Sequence, residues 1–213
     1  ATSSILLSNT KDLLAGYSNT ALWLIFAAFG LSVAFGKTGL GHRIAYYLVR
    51  AFGSTTLRLG YVTAFLDLSL SPATPSNTAR AAGIVYPINL SIAEAVGSYP
   101  GESAKKAGAY LLQNGYFATK VTSFLFATAM APNLLAADYM NKILGVDINW
   151  GLWALALVVP GLVMLLITPA LVYYLDKPSI QHIDSHGIAD EGLKELGPMS
   201  GREKSLIAIF ILA

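Results

Sequence analysis

Residues 59–93 constrain the fold more tightly than any other part of the chain. Leu59 to Pro72 is a largely apolar run of 14 residues, and Ala79 to Ala93 is a second one, interrupted by Arg80, Asn89 and Ser91. Between them stands Ala73-Thr74-Pro75-Ser76-Asn77-Thr78. Neither run reaches the ~20 residues of a bilayer crossing, and the two fused are too long for ~30 Å of hydrocarbon. Two prolines and a cluster of hydroxyl and amide side chains also argue against one continuous helix. A re-entrant helical hairpin with its tip inside the membrane satisfies both limits. Irregular backbone at that depth is tolerated only where protein buries it or where it lines a wet cavity. The basic residues agree with this path: Lys37, Arg43, Arg50 and Arg58 precede the segment, and Lys105 and Lys106 follow it. If basic loops face the cytoplasm, both ends of 59–97 lie on one side.

The remaining sequence places that hairpin in a polytopic membrane protein. Of 213 residues, 54% are hydrophobic and 12% charged, against roughly 25% charged in soluble domains. A net charge of +2 does not suggest a nucleic-acid partner. The absence of cysteine excludes disulfides, thiolate metal sites and cysteine nucleophiles. The first residues lack the basic region and apolar core of a secretory signal. After a polar lead-in, 1–19, Thr20 to Gly36 supplies 17 uncharged residues for a first transmembrane helix. Lys37 to Ser54 has the spacing of an amphipathic helix. It either lies in the interface with its basic side to water or serves as a solvent-facing connector, and 20–58 reads as a scaffold unit. Ala107 to Met130 is long enough to span, but Ala131-Pro132-Asn133 interrupts it, with Pro132 suited to the first turn of a second short helix. Residues 59–145 thus read as the hairpin plus an interrupted transmembrane helix. A polar turn over 138–149 precedes Trp150 to Tyr174, the transmembrane helix of a 146–178 unit. Trp150, Trp153, Tyr173 and Tyr174 stand at its ends like interfacial anchors. Residues 179–204 read as a polar connector without a recognisable fold, and 205–213 as the start of a truncated transmembrane helix.

The hairpin tip has the chemistry of an ion and anion site. Ser76, Asn77 and Thr78 offer two hydroxyls, an amide oxygen and freed backbone carbonyls. A hard cation such as sodium takes oxygen ligands of this kind from unwound transporter backbone. A helix starting at Thr78 or Ala79 points its positive end at the same spot, and one starting near Pro132 adds a second. Two such ends suit a small dianion better than a sugar or an amine. The tripeptide alone says little, because Ser8-Asn9-Thr10 and Ser18-Asn19-Thr20 repeat it without half-length arms around them.

The segment SPATPSNTARAAGIVYPI (Ser71 to Ile88) resembles the signature hairpin of the divalent anion/sodium symporter family. It is most similar to the branch of plastid 2-oxoglutarate/malate translocators and bacterial citrate or tartrate/succinate exchangers. WLIFAAFGLSVAFGKTGLGHRIAYYLVRAFG (Trp23 to Gly53), TAMAPNLLAA (Thr128 to Ala137) and LGPMSGREK (Leu196 to Lys204) extend the resemblance over nearly the whole chain. It implies an all-α polytopic membrane protein that is one half of an inverted-repeat transporter. It also implies a homodimer whose substrate-carrying domain moves like an elevator against a scaffold. Sodium is the coupling ion so implied, with Ser76, Asn77 and Ala129 as its ligands, and no other cofactor or metal. Asn77, Thr78, Ala131, Pro132 and Asn133 are the residues the resemblance assigns to the substrate. The sequence departs from members with a Gly-Ser-Pro-Pro break, since it reads Ala129-Met130-Ala131-Pro132, and Met130 offers no side-chain donor. The expected function is secondary transport of small di- and tricarboxylates of the succinate, malate, 2-oxoglutarate or citrate type, by sodium-coupled symport or by exchange. The expected location is a bacterial inner membrane or a plastid envelope. A permease for sulfate or another inorganic divalent anion is the alternative.

Several polar residues admit two readings. Ser76, Asn77 and Thr78 either bind ligands or cap a turn. Arg80 either attracts the dianion or pairs with Asp67 on the opposite arm, the usual fate of an intramembrane charge, and the two are compatible if the pair lies beside the site. Lys120 either stands in for a sodium ion or snorkels to the interface. His182, Asp184 and His186 either hold a metal or are solvated in a polar loop. No enzyme is expected, since the apolar runs hold neither a histidine nor paired carboxylates. A pore is not expected either, because it wants polar residues recurring along one continuous helix face.

Overall fold

The computed structural model of the chain describes residues 37–212, together with 17, 22, 23, 26, 27, 30 and 33. The expected lead-in and the expected first transmembrane helix, 20–36, lie largely outside the described residues. Among those described, the secondary structure is helical throughout, apart from one isolated antiparallel bridge between Thr55 and His182. The helices are α1 (Leu40–Phe52), α2 (Thr56–Leu70), α3 (Asn77–Arg80), α4 (Tyr86–Ala95), α5 (Gly108–Leu125), α6 (Ala131–Leu144), α7 (Trp150–Leu175), α8 (Ser185–Leu196) and α9 (Gly201–Leu212).

Local chemistry sets the boundaries around the two arms. Thr55 is extended, and its side chain accepts from Arg58 N at 3.2 Å to start α2. The first arm ends in a 3-10 turn at Ser71–Ala73. Ser76 then caps the second arm by accepting from Ala79 N at 3.2 Å. Between α3 and α4 the ladder widens into a π-helical turn, Ala81–Val85, with Tyr86 N donating to Ala81 O. Pro87 explains the slip, since it has no N–H to return to the carbonyl one turn earlier. Both α2 and α4 pack on α5, and α5 in turn packs on α7. Leu59, Leu66, Ile88, Ile92, Tyr110 and Leu111 are buried in the core they share. Gly60 admits no side chain because the Tyr110 hydroxyl fills the place of its Cβ.

By length and composition α7 is the one described helix able to cross a membrane, with a length of about 39 Å at 1.5 Å per residue. Leu155, Val159, Ile167 and Leu171 stand exposed along it. Its other side is tied to α2 and α5. Tyr61 Oη donates to Leu166 O at 2.9 Å, Tyr110 Oη to Pro169 O at 3.2 Å, and Gln113 Nε2 to Asp176 Oδ2 at 2.9 Å. At the opposite end Trp153 Nε1 donates to Phe124 O at 2.9 Å, so α5 and α7 run antiparallel.

Three segments differ from what the sequence suggests. First, α5 stops at Leu125, short of the proline. Phe126 and Met130 are extended around a 3-10 turn at Ala127–Ala129, and Pro132 sits in the first turn of α6, where a missing N–H is harmless. Asn133 terminates α5 from outside, its Nδ2 donating to Ser123 O at 2.7 Å and Phe126 O at 3.1 Å. Second, α6 continues through Asp138, where a polar turn was expected. Lys142 pairs with Asp138 at 2.8 Å one turn on, and Gly145 (φ 66°) ends the helix in the left-handed region.

Third, residues 179–204 do have structure. Residues 179–183 form a strap between the start of the first arm and the turn that leads into α5. Ser179 N and Ile180 N donate to Lys105 O and Lys106 O at 2.9 and 3.0 Å. Thr56 N donates to Gln181 O at 3.0 Å, and Thr56 Oγ1 to Ile180 O at 2.5 Å. Helix α8 follows, with Asp184 as its cap, and lies on α1 closely enough that a Cβ on Gly192 collides with the Tyr46 ring. Arg43, expected on a water-facing side, is buried instead. Its Nε donates to Glu203 Oε1 at 2.7 Å, and Glu203 is buried too. Burial of the two charges is possible because they neutralise each other.

This pair carries a pH dependence. The Arg43 guanidinium, with help from Ser200, holds the Glu203 carboxyl at about 2, below its ordinary 4.5. Glu203 lies ahead of the apolar run that starts at Ser205. A depressed carboxylate contributes stability that is complete above the unfolded value and lost as pH falls through the folded one. Acidification from about 4.5 to about 2 is expected to remove about 1.5–3 kcal/mol, the worth of hydrogen bonds to a charged group. Thermal unfolding across that window should show the loss in the wild type and little of it in Glu203→Gln.

Candidate functional site

Arg80 is at the centre of the region where the two irregular segments meet, and it is only 1% exposed. Its Nε donates to Asp67 Oδ1 at 2.6 Å. Nη1 donates to Thr74 O at 3.0 Å and to Ala129 O at 3.4 Å, and Nη2 to Thr122 Oγ1 at 3.1 Å. The Thr122 hydroxyl donates in turn to the second Asp67 oxygen. One planar guanidinium thereby ties α2, the turn, α3, α5 and the break after α5 into a single unit. Its charge is balanced by Asp67 and its fork of donors is largely satisfied, the conditions for keeping an arginine inside a protein.

The break itself abuts the tip. Ala131 N donates to Pro75 O at 2.9 Å, and Thr128 Oγ1 to Pro72 O at 2.6 Å. Trp150 stacks on Phe126 with centroids 5.6 Å apart and donates to Thr128 Oγ1 at 3.0 Å. Trp150 and Trp153 therefore brace the break with their N–H groups. Ser76, Asn77, Thr78, Ala129, Ala131 and Pro132 come together in this way. Asn133 does not join them with its amide nitrogen, which is engaged on the α5 carbonyls. Asn77 Oδ1 accepts from Thr78 N at 2.9 Å and from the Thr78 hydroxyl at 3.4 Å. That leaves the Asn77 amide nitrogen without a partner among the described residues, on a half-buried residue next to exposed Thr78. The oxygens expected to ligate sodium, on Ser76, Asn77 and Ala129, each accept a protein hydrogen bond, and the one on Ala129 faces a guanidinium.

A cavity of about 280 Å³ opens beside the tip, between the second arm and α5. Asn77 and Thr78 line one end, and Asn89, Tyr116, Thr119 and Lys120 line it further along. Lys120 lies with its ammonium 4.8 Å from the Tyr116 ring centre and has no carboxylate partner among the described residues. Sequence reasoning passed over Thr119 and gave Asn89 no role, although a polar residue inside an apolar arm is a signal. At the far side of the molecule, His182 and His186 are exposed and Asp184 is a helix cap. No group of three or more candidate metal ligands occurs among the described residues.

Unwound backbone between helix segments recurs at the binding sites of secondary transporters. Comparison with known proteins agrees. The model of a family described as the sodium:sulfate symporter transmembrane region matches residues 1–213, and the chain belongs to that family. It is an integral membrane chain, and the resemblance drawn from Ser71–Ile88 is borne out. The chain is 55% identical to the inner membrane protein YbhI of Escherichia coli (strain K12), over 96% of its own length and 43% of that protein. It is 48% identical to the putative malate transporter YflS of Bacillus subtilis (strain 168), over 95% and 43%. A citrate/succinate antiporter of Escherichia coli (strain K12) is 39% identical over 94% and 42%. The chain spans less than half the length of these curated relatives.

Proposed function

We propose that the chain is the hairpin-bearing half of a bacterial inner-membrane carrier that exchanges small di- and tricarboxylates. In this reading 59–97 is a re-entrant hairpin. The strap supports it most directly, because Thr56 and Lys105 are both hydrogen-bonded to residues 179–181 and so lie at one level. The tip, by contrast, abuts the far end of α5. The first arm's α2 has 15 residues, about 22 Å of helix, which stops short of crossing ~30 Å of hydrocarbon. Asn77, Thr78 and Lys120 supply the donors and charge that an anion needs. The names of the relatives point to malate, citrate and succinate as the class of anion. Exchange is favoured over sodium symport because Arg80 already places a fixed positive charge at Ala129 O. The second inverted repeat, the homodimer and the elevator movement belong to the same proposal, and the work done is transport rather than catalysis.

Two measurements on the full-length carrier test it. With any cysteine elsewhere in the carrier replaced, Arg58→Cys and Lys105→Cys should be labelled from the same face of the membrane. Labelling from opposite faces overturns the hairpin. In proteoliposomes, succinate uptake should depend on an internal dicarboxylate and resist sulfate. Competition by sulfate as strong as that by malate indicates an inorganic-anion permease instead.

A further inference from the structure

A groove of about 420 Å³ lies in the corner between α1 and α2. Leu48, Ala51 and Phe52 of α1 form one wall, and Tyr61 and Phe65 of α2 form the other, with Arg58 at the end where α2 starts. Phe52 is 62% and Phe65 41% exposed, so a large ring stands open on either side. Both walls are held from behind. Tyr61 is pinned to Leu166 of α7 by its hydroxyl, while α1 is backed by α8 and by the Arg43–Glu203 pair.

Charge and depth are sorted along this groove. Helix α7, long and apolar enough to cross the membrane, ends at Leu175, and the strap that follows it accepts from Thr56 N. The start of α2 is therefore at the membrane edge, and Arg58 stands at the level of lipid headgroups. The Tyr61–Leu166 bond shows that α2 then runs back along α7, so Phe65 is about 10 Å further in at 1.5 Å per residue. That is acyl-chain depth. Arg58 also differs from the other arginines nearby. Arg43 pairs with Glu203, Arg50 with Asp190 and Arg80 with Asp67. Arg58 has no carboxylate partner among the described residues, and its Nη1 donates to Ser54 Oγ at 3.0 Å. This bond holds the guanidinium at the turn and leaves its other N–H groups for a ligand. A planar fork of that kind matches a phosphate.

We propose that this groove binds an anionic phospholipid of the phosphatidylglycerol type. Its phosphate accepts from Arg58, and one acyl chain runs past Leu48 and Tyr61 to Phe65. A zwitterionic lipid offers the same chains but cancels its phosphate with its own ammonium, so the Arg58 end supplies the preference for net negative charge. The bound lipid bridges α1 and the first arm at the level of the strap. This site requires only that the chain sit in a membrane, and it holds whatever the cargo is.

The experiment titrates the full-length protein in detergent with dioleoyl phosphatidylglycerol and, separately, with dioleoyl phosphatidylcholine, and counts bound lipid by native mass spectrometry. The wild type should bind phosphatidylglycerol roughly fivefold more tightly than phosphatidylcholine, the preference one arginine gives at a lipid surface. Arg58→Gln should bind the two alike, and because Arg58 is exposed the variant keeps its fold. Ala51→Trp, which fills the groove, should lose that lipid altogether, whereas Lys142→Gln on α6 should retain it with the wild-type preference. A wild type without preference, or a preference that survives both Arg58→Gln and Ala51→Trp, overturns the proposal. So does a photo-cross-link from Ala51→benzoylphenylalanine to another segment of the polypeptide in place of lipid, which makes the groove an internal contact.

Discussion

Asp67→Asn is expected to destabilise the fold by about 3–5 kcal/mol, the loss typical of a buried ion pair with one partner removed. The asparagine keeps the shape of the side chain but not its charge. Arg80 cannot release its proton and cannot reach water, since its side chain and that of Asp67 are both fully enclosed. An uncompensated cation therefore stays inside the protein. For a chain of this size the loss corresponds to a fall in Tm of roughly 10 °C. Joint replacement, Asp67→Leu with Arg80→Met, should recover much of it, because two apolar side chains carry no desolvation penalty. Recovery will be incomplete, as Thr74 O and Ala129 O lose their donor. An unchanged melting temperature in Asp67→Asn would show that the pair contributes nothing to stability.

Asn77→Asp should abolish dicarboxylate uptake while leaving the protein folded. The carboxylate is nearly the same shape, and it still accepts from Thr78 N and the Thr78 hydroxyl. What changes is the other half of the group, where two N–H donors become a second anionic oxygen. Two unit charges at 4 Å repel by about 4 kcal/mol at an effective dielectric constant of 20. That is roughly a thousandfold in affinity for each carboxylate brought to the tip. Uptake into proteoliposomes and a melting curve on the same preparation separate loss of function from loss of fold. Normal uptake would remove the tip from the site.

The parts of the structure that could be read from the sequence are the helical runs and the breaks between them. Two apolar runs around a proline-rich turn read as separate helices, and α2 and α4 lie on either side of that turn. A charge inside an apolar run needs a partner, which singled out Asp67 for Arg80. The parts that could not be read depend on contacts between distant residues. Pro132 marks the start of α6, as its place in the sequence suggests, but the end of α5 is set by the side chain of Asn133, beyond the break. Helix α8 stayed hidden because its apolar positions, Ile188, Ala189, Leu193 and Leu196, are diluted by four charged residues and two glycines. Burial of Arg43 required Glu203, 160 positions away. Asn89 and Thr119 come to line one cavity only once α4 and α5 lie side by side.

The ribbon of backbone at 179–183 limits how the two arms can move. Thr56 ahead of the first arm and Lys105 and Lys106 beyond the second are stapled to the same few peptide groups. A swinging gate needs one anchored side and one loose side, and here neither side is loose. In the proposed carrier, a displacement that carries cargo would shift the whole block, from Thr56 through α7, as a single piece of freight.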